Sequence, residues 1–278
     1  WGWAEAAQRA GIPYYPKLVC AAPFTPASAR RFLCKDDEPE LAKLLWRGAQ
    51  SLASACGARS VHILFQTGAE HRLLEGIDGS IPRLSYQFHW ENPGVADFGE
   101  WLDLFRSRDR KKIRQERRKA GATVDRIYML RGHELGESHI ERIWSFYNDT
   151  CSRKWGQPYL AKGFFESLRT GLAEMAVAFL AEKDGEIVAS SLCFQRGRNL
   201  YGRYWGCSQE LDSLHFELCY HRPIELCIQE GWTRFEAGAQ GQHKIKRGLL
   251  PCPTYSTHWL EHRGLSAAVK EAMEQEAR

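Results

Sequence analysis

Residues 176–206, with the sequence AVAFLAEKDGEIVASSLCFQRGRNLYGRYWG, decide the fold class. Their apolar runs predict three strands, at 176–182, 186–195 and 199–206, and Lys183-Asp184-Gly185 predicts a tight turn between the first two. Before these strands, the sequence predicts a strand at 123–130 and helices at 138–153 and 162–174. After them, it predicts a helix at 215–230, a strand at 234–237, a short helical piece near 241–247, a strand at 254–259 and a helix at 265–277. This order indicates an α/β (α+β) protein with a mixed central sheet flanked by helices.

The order of elements from 199 to 259 also occurs near the start of the chain. The earlier copy is predicted as a strand at 17–24, a helix at 38–56, a strand at 60–66, a short helix and a strand at 83–90. The pentapeptides FQTGA at 65–69 and FEAGA at 235–239 occupy the same place in the two copies. We therefore interpret the chain as containing an internal duplication.

The duplication predicts three segments. Residues 1–93 are expected to be the C-terminal half of a first unit, 94–121 a basic helical connector, and 122–278 a complete second unit. The first copy lacks a front half and residue 1 is Trp, not Met, so we expect an N-terminally truncated chain with an incomplete first unit.

The composition is that of an ordinary globular protein. The 278 residues include 38 Lys and Arg against 34 Asp and Glu, a net charge of +4, and 44% are hydrophobic. No apolar run approaches the ~18 residues of a membrane span, so none is expected. The nine cysteines form no CxxC pair and the histidines lack zinc-site spacing. We therefore expect free thiols, no metal site and a cytoplasmic location.

Several motifs carry a resemblance to a known family. They are YPKL at 15–18, PFTP at 23–26, QFHW at 87–90, KWGQPYL at 154–160, GRYWGC at 202–207, HFELCY at 215–220, EAGAQGQHK at 236–244 and PTYSTHW at 253–259. The element order of 123–278 resembles the GNAT acyltransferase superfamily. The tandem arrangement with a basic helix between copies resembles the Fem-type, aminoacyl-tRNA-dependent peptidoglycan transferases, and the chain most resembles the FemAB-like predicted N-acyltransferases.

The resemblance implies transfer of an acyl or aminoacyl group to an amine by direct attack. It implies an amine-bearing small-molecule or peptide acceptor, with a peptidoglycan precursor as one case, and tRNA as a possible partner. The acyl donor stays open between aminoacyl-tRNA and acyl-CoA. The stretch 206–215 has no glycine after Gly206 and no Lys or Arg, and it carries Glu210 and Asp212, which argues against a CoA diphosphate in the second unit. A CoA-dependent activity through a non-standard loop is a further alternative.

Residues 236–247 crowd polar side chains onto a glycine-rich loop, which favours a site. In acyl transfer to an amine, a carboxylate or imidazole takes up the proton, and N–H or cationic groups stabilise the oxyanion. Glu217 and Glu236 are alternatives for the base, and His243, Lys244 and Arg247 are expected to hold an anionic donor or substrate.

The full set of candidates is larger. The candidate catalytic residues are Glu217, Glu236, His243 and Tyr255, and the candidate substrate-binding residues are Trp155, Arg203, Tyr204, Trp205, His215, Gln240, Lys244, Arg247 and His258. For His258, a satisfied core histidine is the competing interpretation. Trp155 and Trp205 are suited to stacking on sugar or peptide, with core packing as the alternative for one of them.

The segment 106–119, RSRDRKKIRQERRK, contains nine Lys or Arg and two acids. This local net charge of +7 favours a phosphate-rich partner. The candidate polyanion-binding residues are Arg110, Lys111, Arg114, Arg117 and Arg118. A solvated linker helix, with Asp109 and Glu116 in local pairs, is the alternative interpretation. The alternative function is a non-catalytic GNAT-fold module that binds RNA or another polyanion through this helix.

Overall fold

The computed structural model describes residues 2–34, 39–154, 156–238 and 241–276. The chain forms two compact units, one of residues 1–87 with 252–278 and one of residues 88–251. These bounds differ from the predicted segments 1–93, 94–121 and 122–278. The difference arises because strands far apart in sequence pair with one another.

The first unit combines the start of the chain with its end. Its elements are α1 (Gly2–Arg9), β1 (Leu18–Cys20), α2 (Pro39–Ala55), β2 (Ser60–Gln66), α3 (Gly68–Leu74), the start of β3 (Ile81–Glu91), most of β9 (Leu250–Leu260) and α10 (Arg263–Glu276). Strand β2 pairs in parallel with β1 and antiparallel with β9. Trp46 of α2 packs with Ile63 and Leu74 in a buried cluster. The last strand of the second predicted copy therefore belongs to this unit.

The second unit contains a mixed sheet. Its elements are the end of β3, α4 (Phe98–Asp103), α5 (Ser107–Thr123), β4 (Arg126–Arg131), α6 (Glu137–Lys154), α7 (Lys162–Glu166), β5 (Ala176–Lys183), β6 (Glu186–Arg196), β7 (Asn199–Cys207), α8 (Leu214–Phe216), α9 (Arg222–Gln229) and β8 (Arg234–Glu236), with the 3₁₀ segment Gln242–Arg247. The strand order is β3-β8-β7-β6-β5-β4, in which only β7 and β8 are parallel neighbours.

Helices flank both faces of this sheet. Along β5, Val177 and Phe179 join one buried cluster, whereas Ala178 and Leu180 join another. This alternation follows from the two-residue period of a strand. Helices α5 and α9 contribute to the first cluster and α6 and α7 to the second. The predicted mixed α/β fold class is therefore confirmed.

Residues 214–229 show how the chain accommodates Pro223. The sequence predicts a kink, because proline lacks a backbone N–H and its ring crowds the preceding turn. In the structure a π-helical stretch, Glu217–His221, lies between α8 and α9, and the Arg222 N–H donates to the carbonyl of Glu217. The wide turn absorbs the proline, which sits in the first turn of α9.

The predicted connector is two helices, α4 and α5, rather than one, and both belong to the second unit. In the described part of the chain, every helix is too short or too polar to cross a bilayer.

Candidate functional site

The central feature of the second unit is the end of the pairing between β7 and β8. The register runs from Asn199↔Arg234 to Tyr201↔Glu236, where β8 ends, although β7 continues to Cys207. We call this point the strand fork, meaning Tyr201 and Glu236 and the chain that follows each. On the other edge of β8, Glu236 is paired with His89 of β3. A short strand thus places one carboxyl group at a fixed position between two longer strands.

Glu236 is a buried carboxyl group with an unusual environment. Its residue is 4% exposed, and its Oε2 accepts no hydrogen bond from the described residues. His89 Nε2 lies 3.9 Å from that oxygen. Burial raises the pKa of Glu236 to about 7, against a smaller opposing effect of the Arg234 charge. A carboxyl group with this pKa changes protonation near neutrality, as a general base requires.

The loop after Glu236 is held by Lys244. Its Nζ donates to the carbonyl oxygens of Ala237 (2.7 Å) and Gly238 (2.9 Å). Burial lowers the pKa of Lys244 to about 8. Gly238 and Gly241 have φ angles of +79° and +106°, which side chains with a Cβ rarely adopt. Lys244 was predicted to bind substrate, and the structure shows that it orders the backbone beside the candidate base.

Glu217, the alternative base, lies in a set of ion pairs. Its Oε1 accepts from Arg117 Nε at 3.2 Å and lies 3.0 Å from Arg222 Nε. The residue is 2% exposed. Protonation of Glu217 would remove the negative charge that compensates two guanidinium groups. Among the described residues the ionisable group within ion-pair distance of Glu236 is His89, whose own pKa burial lowers to about 4, so Glu236 fits the role of base better.

A second buried cluster joins α5 to the 3₁₀ segment that carries His243 and Lys244. Glu116 accepts from Arg247 Nε (3.0 Å) and Nη2 (2.6 Å), and its Oε2 lies 3.2 Å from His221 Nε2. Burial alone would raise the pKa of Glu116, but the hydrogen bonds from His221 and Arg247 outweigh it and lower the pKa. Arg247, predicted as an anion ligand, is therefore already paired.

Arg247 and His243 are also tied to aromatic side chains. The Arg247 guanidinium lies 3.5 Å from the centre of the Phe216 ring. The His243 Nε2 lies 3.1 Å from the Tyr220 hydroxyl. Burial, followed by the charges of Arg247 and Lys244, lowers the pKa of His243. This favours a neutral imidazole that can accept or donate a proton.

Comparison with known proteins gives a family for this arrangement. A family model for FemAB-like proteins, described as peptidoglycan biosynthesis/recognition, matches residues 1–278. The chain belongs to the FemAB-like family. No curated protein sequence matches the chain.

Solved structures share the fold of this FemAB-like protein. They include L-PGS from Bacillus licheniformis (13% identity, TM-score 0.56, covering 86% of this chain and 78% of that one), FemX (13%, 0.54, 90% and 85%), and the C-terminal DUF2156 domain of a putative lysylphosphatidylglycerol synthetase from Agrobacterium fabrum (10%, 0.57, 85% and 78%). At these identities the likeness shows the fold alone. It shows that the mixed α/β architecture of this chain is shared with L-PGS and FemX.

The aromatic candidates on β7 face opposite sides of the sheet. Tyr204 packs against Tyr147 with ring centres 5.1 Å apart, and the Arg203 guanidinium lies 5.5 Å from the Tyr204 ring. Trp205 meets His215 edge to face at 5.2 Å. Trp205 and His215 also line a pocket of about 400 Å³. These two residues are therefore placed where a ligand could contact them, whereas Tyr204 has a packing role.

Four candidate residues lie outside the described part of the second unit. Trp155 and Gln240 lie outside the described residues. Tyr255 and His258 belong to the first unit, where Tyr255 stacks near His71 and the His258 Nδ1 lies 2.8 Å from the His62 Nδ1. His258 thus has the satisfied, buried environment of the competing interpretation. Its grouping with Glu236 stays a prediction.

The basic helix α5 presents its cations in different directions. Lys111, Arg114 and Arg118 are exposed and lie three and four residues apart, on one side of the helix. Arg110 donates to Asp103 at 2.9 Å. Arg117 instead donates to Glu225 at 2.8 and 3.1 Å, besides its bond to Glu217. Arg117, a candidate polyanion-binding residue, is therefore already paired with two carboxylates inside the protein.

Sequence reasoning missed Glu116 as a site residue. The available signal is its position, because the buried residues of α5 are Ile113, Glu116 and Ala120, spaced as one helix face. An acid on the apolar face of a basic helix needs a cationic partner inside the protein. The pattern does not identify Arg247 as that partner.

Proposed function

We propose that this protein is a transferase that moves an acyl or aminoacyl group to an amine acceptor, with Glu236 as the general base. The family assignment supports a transferase in peptidoglycan biosynthesis. The observation that carries the residue assignment is the Glu236 carboxyl group at the strand fork, buried and with a pKa of about 7. A buried carboxyl group with an oxygen that accepts no hydrogen bond from the described residues is costly to stability, which favours a functional reason for keeping it.

The chemistry requires three events. The acceptor amine loses a proton to Glu236, its nitrogen attacks the donor carbonyl carbon, and the tetrahedral oxyanion collapses with loss of an alkoxide or thiolate. Lys244 acts as a positioning residue, because it bonds to the two carbonyl groups after Glu236. His243, bonded to Tyr220, is the candidate that relays a proton to the leaving group, with one ring nitrogen taking up a proton from solvent as the other gives one up.

The acceptor we favour is an amine on a peptidoglycan precursor, since the family description names peptidoglycan. One structural neighbour is titled as a putative lysylphosphatidylglycerol synthetase, so a lipid acceptor is the second case to test. A cytoplasmic location fits the proposal, because aminoacyl-tRNA and acyl-CoA are both made there.

The test compares two carboxylates in one assay. Wild type, Glu236→Gln and Glu217→Gln are incubated with an amine-bearing muropeptide and either charged tRNA or acetyl-CoA, and the acylated product is measured by mass spectrometry. General bases contribute about 10²- to 10⁴-fold to a rate, so Glu236→Gln should lower the transfer rate by about 100-fold or more. Glu217→Gln should lower it far less. Full activity of Glu236→Gln would reject Glu236 as the base.

The exposed row Lys111, Arg114 and Arg118 favours a second candidate, a polyanion-binding module. Under that alternative, the triple change to Gln abolishes retention of tRNA on a filter and flattens the dependence of binding on salt. If tRNA binding does not depend on salt and the triple variant binds with wild-type affinity, the polyanion-binding function is rejected.

A further inference from the structure

A pocket of about 690 Å³ lies between α5, residues 212–216 and the 3₁₀ segment 242–247. Its volume is in the range typical of small-molecule sites, about 300–1,000 Å³. Helix α5 contributes Lys112, Glu116 and Lys119, which share one face because they are separated by four and three residues. The opposite wall includes Lys246 and Arg247. All of these elements belong to the second unit.

The charges around this pocket do not cancel. Four cations and two carboxylates line it. The carboxylate of Glu116 is paired with Arg247, and that of Asp212 with Lys119 at 2.8 Å. Lys112 approaches Glu116 only to 4.0 Å and is half exposed, and the exposed Lys246 makes no ion pair with the described residues. Two ammonium groups therefore remain as the positive surplus of the pocket.

The Asp212 ion pair also changes an expectation from the sequence. Glu210 and Asp212 were the reasons to expect repulsion of a phosphate. Asp212 is compensated by Lys119, and Glu210 lines the neighbouring 400 Å³ pocket next to Trp205, which shares Ser213 and Phe216 with this one. Lysine ammonium groups bind phosphate as point charges. The pocket also has an apolar wall, Phe216, which suits an aromatic or apolar group beside the anion.

The pocket adjoins the strand fork through the chain. His243 lines the pocket, and the next residue, Lys244, holds the carbonyl groups that follow Glu236. We propose that this pocket binds a phosphate group of the acyl donor, with Lys112 and Lys246 as its ligands. The proposal rests on the transferase function above. The proposed ligand is a phosphate group, which both coenzyme A thioesters and the 3′ end of tRNA carry. The experiment distinguishes these two sources.

The test uses two double variants that each remove two positive charges. Lys112→Gln with Lys246→Gln changes the pocket, and Arg169→Gln with Arg196→Gln changes exposed residues of the second unit that do not line it. Calorimetry with coenzyme A and with AMP, at two salt concentrations, measures the affinity of each variant. Filter binding of tRNA forms the second arm. Thermal unfolding of both variants checks that each is folded.

Loss of both lysines should weaken binding of the responsive probe at least tenfold, because each lysine supplies a charge-assisted hydrogen bond to the phosphate. The control double variant should stay within about twofold of wild type for the small probes. Binding of coenzyme A or AMP that depends on the pocket lysines indicates a nucleotide thioester, and tRNA binding alone indicates an RNA end. Equal losses in both variants, or no binding of any probe to wild type, would overturn the proposal.

The outcome is separable from that of the base assignment. Glu236→Gln should retain wild-type affinity for the probe, because it does not line the pocket. If Glu236→Gln transfers at full rate while the pocket variant still loses binding, the role of Glu236 fails and the pocket assignment stands.

Discussion

The two matching strand ends, FQTGA at 65–69 and FEAGA at 235–239, each bury a polar side chain but stabilise it differently. Gln66 is fully buried, and its Nε2 donates to Thr257 Oγ1 at 2.7 Å and lies 3.0 Å from His71 Nδ1. Thr67 and Glu70 then form a capping box that starts α3. Although Gln66 Oε1 accepts no bond from the described residues, an amide carries no charge, so its burial costs less than that of a carboxylate.

At the other strand end, the same position holds the ionisable Glu236. No capping box follows it in the described residues, and Lys244 instead bonds the carbonyl groups of Ala237 and Gly238, next to a segment anchored by the Glu116–Arg247 pair. The Gln66 end is therefore built for stability, whereas the Glu236 end keeps a titratable group at the expense of stability. Departures from local satisfaction of this kind are expected at functional sites.

The largest effect should come from breaking the anchor of the Glu236 end. Glu116→Ala leaves Arg247 and His221 without their buried acceptor, so the free energy of unfolding should fall by about 3–5 kcal/mol. Urea denaturation of the full chain measures this change in the free energy of unfolding. Lys111→Ala, an exposed change on the same helix, serves as the control and should stay within about 0.5 kcal/mol of wild type. A loss below 1 kcal/mol for Glu116→Ala would show that the anchor is not needed.

Reciprocal exchange of the two residues should shift stability next most. A carboxyl group whose pKa rises from 4.5 to about 7 on folding opposes folding above pH 7 by about 3 kcal/mol. Wild type should therefore lose stability as pH rises from about 4.5 to 7. Glu236→Gln should remove this loss and be more stable at pH 8, whereas Gln66→Glu should be less stable there. Urea denaturation at pH 5 and pH 8 checks both signs, and identical pH dependence of wild type and Glu236→Gln would refute the argument.

The smallest effect concerns the histidine pair of the first unit. Burial, followed by the charge of Lys17, lowers the pKa of His62 from 6.5 to about 4. A histidine of lowered pKa binds its proton more readily in the unfolded chain, so stability should fall as pH drops from 6.5 towards 4, by about 2 kcal/mol at pH 5. His62→Gln should reduce this acid sensitivity, whereas the exposed His133→Gln should leave it unchanged. Equal acid profiles for His62→Gln and wild type would argue against the assignment.

Much of the fold was predictable because its signals are local. The Lys183-Asp184-Gly185 turn and the apolar runs around it predict the hairpin of β5 and β6, and the structure has both strands within one residue of the predicted bounds. The unit boundaries were not predictable in this way. They depend on the pairing of β2 with β9, whose partners are about 200 residues apart, such as Val61 and Trp259.

The site divides along the same line. Glu236, His243 and Lys244 are close in sequence, so their crowding on a glycine-rich loop pointed to a site. The partners of Glu116 and Arg117 are about 100 or more residues away, and composition alone presents both residues as parts of a solvated basic helix. Which of two carboxylates is paired and which is not depends on tertiary contacts. That distinction, between Glu217 and Glu236, required the structure.

The most direct test of the central claim is the pKa of Glu236 itself. A carbon-13 NMR titration of the side-chain carboxyl groups, with the Glu236 signal assigned by its absence from Glu236→Gln, measures this value. We predict a pKa of about 7, because the carboxyl group is buried at the strand fork. A pKa near 4.5, the ordinary value for glutamate, would contradict it and leave the protein without its proposed base.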